Sequence, residues 1–112
     1  MTHDLRSQFS DHFDGLKIEF FHHQHEHEQG SPKKDMVEED IPLSDLNSEI
    51  GDVSLEILPS MSVNAVEDRF EAAGLHIQVF RQMNLSWIET TATDGYTLEQ
   101  QMALSRESRG LN

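Results

Sequence analysis

The chain has 112 residues and a mass of 12.8 kDa, room for one domain around one modest core. Its 21 Asp and Glu outweigh 8 Lys and Arg, a net charge of −13, which speaks against nucleic acid and anionic membranes as partners because both are polyanions. It has no cysteine, and so no disulfide framework, thiolate metal site or cysteine nucleophile.

In chain order, Leu5, Phe9 and Phe13 fall at i, i+4 and i+8, the stripe of an amphipathic helix over residues 3–14. Thr2 is placed to cap it and Gly15 to end it. Leu16, Ile18 and Phe20 then alternate with Lys17 and Glu19, a strand pattern that Phe21 interrupts. Residues 24–50 read as one polar, acidic loop within a single domain spanning 1–112. The loop holds Gly30-Ser31-Pro32-Lys33-Lys34 and Glu38-Glu39-Asp40-Ile41-Pro42, with a short helical turn expected around Ser44 to Asn47. Deleting residues 28–44 is expected to change loop-closure entropy by only about 1 kcal/mol.

A second strand is expected where Val53, Leu55 and Ile57 alternate with Ser54 and Glu56. Residues 62–74 carry the strongest helix signal. Ser62 is the cap, Val63, Val66, Phe70 and Ala73 form the apolar stripe, and Gly74 is the stop. Two more strands, 75–82 and 85–92, are close enough to pair as a hairpin. A last helix starts at Thr97 with Gln100 as its capping-box partner, carries Leu98 and Met102 inward, and stops at Gly110. The expected architecture is α+β: a small, mainly antiparallel sheet with a central helix in ββαββ order, flanked by terminal helices. A ubiquitin-like roll is one such arrangement.

Charge is unevenly spread. Residues 1–60 hold 14 acids against four bases, and residues 61–112 seven against four. The exposed run Glu38, Glu39, Asp40 and Asp45 is the candidate contact for a basic surface on another protein, with Trp87 as an aromatic anchor. Dense charge speeds encounter and makes binding salt-sensitive.

The other concentrated chemistry is the histidine tract. His22, His23, His25 and His27 sit within six residues. On a strand, His23, His25 and His27 would share one face, a donor set for Zn or Ni. Alternate side chains on a strand stand about 6–7 Å apart, too wide for shared ligation unless the tract bends. The plainer assignment is a solvated strand end.

Catalysis has little support. His76 and Glu89 are a candidate cross-strand pair, which is ordinary surface pairing far more often than acid–base machinery. No serine elbow, phosphate loop or HExxH is present. No apolar run approaches the ~20 residues of a membrane span, and the first residues lack the pattern of a secretion signal, so the expected location is cytoplasmic.

Phe20/Phe21, Val79/Phe80 and Trp87/Ile88 each put an apolar residue on both pleat faces. Either the N-terminal helix covers the second face, or a second copy does, as a homodimer. The expected function is that of a small, non-enzymatic interaction or regulatory protein without a cofactor. The alternative is a histidine-tract metal carrier or sensor.

Overall fold

The computed structural model describes residues 1–22, 35–50 and 55–110. Its elements are α1 (Thr2–His12), β1 (Leu16–Phe21), β2 (Met36–Val37), a 3-10 turn (Leu43–Asp45), α2 (Val63–Ala72), β3 (His76–Met83), β4 (Ser86–Glu89), a 3-10 turn (Thr91–Thr93) and α3 (Leu98–Ser108).

Capping sets two of the three helix starts. Ser62 Oγ accepts the Ala65 N–H at 3.1 Å. Thr97 and Gln100 form a reciprocal capping box, at 3.1 and 2.8 Å. In α1, by contrast, Met1 occupies the cap position without a side-chain bond. Thr2, expected as the cap, lies inside the helix, and its hydroxyl serves residues 39–41 instead.

Gly15 ends the α1 turn at φ +79, and a Cβ there would lie 2.3 Å from Ser105 Oγ. Both the backbone conformation and the close approach require glycine. Gly15→Ala should lose about 1–3 kcal/mol of stability in urea titration; a change within ±0.5 kcal/mol would mean that the α1–β1 corner relaxes freely.

The four strands pair in the order β2-β1-β3-β4, every pair antiparallel. Register runs unbroken through Phe20↔Ile77 and Phe21↔His76, so no bulge disturbs the doubled apolar positions. One face carries Leu16, Ile18, Phe20, Val37, Ile77 and Val79. These join Phe9 and Phe13 of α1, Val63, Val66 and Phe70 of α2, and Leu98 of α3 in one core cluster. Helix α1 thus packs on the same side as α2, and its Phe9 and Phe13 do not serve as a lid over the second face. Phe21 and Phe80, buried at 1% and 8%, stand outside that cluster on the opposite pleat.

The α+β class holds, but the strand inventory differs from expectation. Residues 55–58 have no ladder partner among the described residues; Val53 and Ser54 lie outside them. Leu55 and Ile57 still pack on the core, half-buried. The second strand is instead Met36–Val37, inside the segment expected as loop, with Val37 at 0% exposure opposite Phe20. Deletion of 28–44 should therefore be strongly destabilising, because it removes a core side chain and the backbone that docks α1. The helical turn expected at 44–47 sits at Leu43–Asp45.

Candidate functional site

The acidic run begins where β2 leaves β1. Helix α1 fills the divergence and fixes the backbone of residues 37–41. The Thr2 N–H donates to Ile41 O at 2.9 Å, Thr2 Oγ1 donates to Glu39 O at 3.0 Å, and Ile41 N–H returns a bond to Thr2 Oγ1 at 3.2 Å. The Arg6 guanidinium donates to Val37 O and, at 3.4 Å, to Glu39 O. Its Nε lies 3.5 Å from Glu19, and the group stacks over the Phe20 ring. Glu38, Glu39, Asp40 and Asp45 are all exposed.

They are not equivalent. Asp40 Oδ1 accepts the His3 N–H at 3.0 Å, so this carboxylate satisfies a free amide in the first turn of α1, where the helix dipole favours negative charge. Its first role is structural. The side chains of Glu38, Glu39 and Asp45 have no ion pair or hydrogen bond among the described residues.

Trp87 does not join this run. It lies on β4, at the far edge of the sheet from β2, three strand spacings or about 14 Å away. It is 41% exposed. The Lys17 Nζ sits 4.9 Å from the Trp87 ring centroid and 5.3 Å from that of Phe80, a cation–π bridge across three strands. Leu85, expected to open β4, lies instead in the Asn84–Leu85 turn, 94% exposed, with Asn84 at φ +58. Asparagine tolerates that left-handed conformation better than most residues.

The His76–Glu89 pair does not form. Glu89 is opposite Phe80, and His76 is opposite Phe21 on the other neighbour. The two residues are offset by four positions along β3, about 13 Å.

Of the histidine tract, His22 is described and exposed, and its N–H donates to Asp35 O at 3.0 Å. His23, His25 and His27 lie outside the described residues. Among the described residues no three His, Asp or Glu side chains are grouped to hold a metal.

Two further features went unread in the sequence. An open cleft of about 330 Å³ runs between α1, α2 and residues 55–57, lined by Leu5, Gln8, Phe9, His12, Leu55 and Phe70 among others. Its walls mix polar and apolar surface in nearly equal parts, and His12 is the one titratable group in its lining. The second is a buried polar network under β3. Arg81, 7% exposed, donates through Nη1 to Gln101 Oε1 and, at 3.3 Å, to Thr93 Oγ1. Gln101 is fully buried and donates to Thr93 O at 2.8 Å. Burial lowers the Arg81 guanidinium from its ordinary value, and Tyr96 pulls the other way. Periodicity placed Leu98 and Met102 of α3 inward, but the same helix face also turns Gln101 and Ser105 into the core, each at 0% exposure.

No helix among the described residues is long and apolar enough to cross a membrane. No family model, curated protein or solved structure matches the chain.

Proposed function

We propose that the protein is a small, cytoplasmic, non-enzymatic interaction module that presents acidic residues to a basic surface on another protein. The observation that carries this reading is the ordered acidic segment. Residues 35–50 contain six acids and no base, and helix α1 holds the backbone of 37–41 through Thr2 and Arg6. Charges on a fixed backbone lose less freedom on binding than charges on a floppy tail. Glu38, Glu39 and Asp45 are the contact carboxylates; Asp40 positions the segment by capping α1.

The test uses an oligolysine peptide as probe. Binding should weaken as salt is raised. The triple change Glu38→Gln, Glu39→Gln, Asp45→Asn should weaken it about tenfold or more at low salt, since each lost contact is worth a fraction of a kcal/mol to about 1 kcal/mol. Helix content and thermal stability should stay unchanged. Equal binding by the triple variant would overturn the reading. Asp40→Asn, in contrast, should act mainly on stability, by about 0.5–1 kcal/mol, through the start of α1.

A further inference from the structure

The two edges of the sheet are finished differently. At the β2 side the edge strand is only two residues long. Beyond it, β1 faces α1, where Ser10 Oγ donates to the Leu16 carbonyl at 3.1 Å. At the other side, β4 has β3 as its one partner among the described residues.

The register of β4 decides what this edge offers. The Thr90 N–H donates to Val79 O, just past the end of the ladder. Alternation along an antiparallel pair then turns the backbone groups of Ile88 and Ser86 toward β3, opposite Arg81 and Met83. The N–H and C=O groups of Trp87 and Glu89 point away from the sheet. They are a matched set of two donors and two acceptors, placed symmetrically about Ile88.

We propose that β4 pairs with β4 of a second copy, antiparallel, on a two-fold axis through Ile88. Trp87 of each copy then exchanges both backbone bonds with Glu89 of the other, and the two four-stranded sheets become one of eight strands. This register uses all four outward groups. A two-fold centred on Glu89 would instead set like carboxylates directly opposite each other. The surface is separate from the acidic segment, so this proposal stands or falls independently of the proposed function.

Charge complementarity selects a second copy over an arbitrary strand. Lys17 Nζ rests over the Trp87 ring and has no ion pair among the described residues. Glu89, partly buried on the same pleat face, also lacks a partner among them. In the paired sheet the partner's Glu89 stands directly across from Trp87, beneath the ammonium that Trp87 carries. Two Lys17–Glu89 pairs form, one on each side of the axis. On the opposite pleat the two Ile88 side chains, each 38% exposed in the free chain, meet across the axis. The acids of 35–50 lie at the far edge of each sheet, further from the contact than the roughly 8 Å over which charge acts at physiological salt.

The contact is one short strand, so the dimer belongs to the weak class of interfaces. Sedimentation from about 10 µM to about 500 µM should follow a monomer–dimer equilibrium within that range. Trp87 emission should shift to shorter wavelength as the dimer fills. Glu89→Lys and Lys17→Glu, each of which sets like charges together, should weaken association about tenfold or more, and the double charge swap should return it to within about threefold of the starting value. Circular dichroism checks that each variant is folded, and the double swap separates loss of pairing from damage to the hairpin. A monomer at every concentration, a dimer indifferent to both single changes, or a double variant no better than the singles would overturn the proposal.

Discussion

Phe70→Ala should lower the unfolding free energy by about 3–5 kcal/mol. Phe70 is 4% exposed and meets Phe20 edge-on, ring centroids 6.5 Å apart at 74°. It joins α2 to the central strand β1, so truncation removes both the transfer energy of the ring and an aromatic pair. The ring is also a wall of the cleft beside α1. The space left by truncation therefore opens into an existing cleft, and the helices can settle into it only by moving α1. A domain of this size has about 5–15 kcal/mol in total, so the variant should be visibly less stable in equilibrium urea unfolding. A loss below about 1 kcal/mol would mean that the α1–α2–β1 junction is not the centre of the core.

What was legible in the sequence is what depends on near neighbours. The stripe of Leu5, Phe9 and Phe13, the Ser62 and Thr97 caps and the alternation of Leu16, Ile18 and Phe20 are local patterns, and each became the element it indicated. The doubled apolar pairs were legible as pleat geometry, and register places Phe20 and Val79 in the core with Phe21 and Phe80 outside it.

What was not legible depends on long-range partners. Met36–Val37 is too short to show a period of two, and it becomes a strand because Val37 fills the space opposite Phe20. Leu55 and Ile57 show the period but bury against the core without a ladder partner among the described residues. The ubiquitin-like expectation took residues 53–57 as its second strand; among the described residues Met36–Val37 holds that place in the ββαββ order. At the site, the exposure of Glu38, Glu39 and Asp45 followed from composition. The diversion of Asp40 to α1 did not, since His3 lies 37 positions away in sequence. Nor did the placing of Lys17 over Trp87, which needs the β1–β3–β4 register.

The second large effect concerns the cation under β3. Gln101→Leu should cost about 2–4 kcal/mol, because it strips a buried guanidinium of its principal acceptor while the charge remains. Arg81 cannot escape by deprotonating, since arginine stays charged in proteins. The cost should therefore be the same at pH 6 as at pH 8, unlike the loss of a group that titrates in that range. Arg81→Met should cost less, about 1–2 kcal/mol: it leaves only the neutral Gln101 Oε1 unmatched, while Gln101 Nε2 keeps its bonds to Thr93 at 2.8 and 2.9 Å. With both changes the buried pair becomes apolar, and the loss should fall well short of the sum of the single losses. A double-mutant cycle in urea reads this directly, with an expected coupling of about 1–3 kcal/mol between the two positions. Strict additivity would mean that Arg81 reaches water when Gln101 is removed. In that case the 7% exposure of Arg81 would reflect packing by Gln101 itself, and the network would position α3 against β3 without charge playing a part.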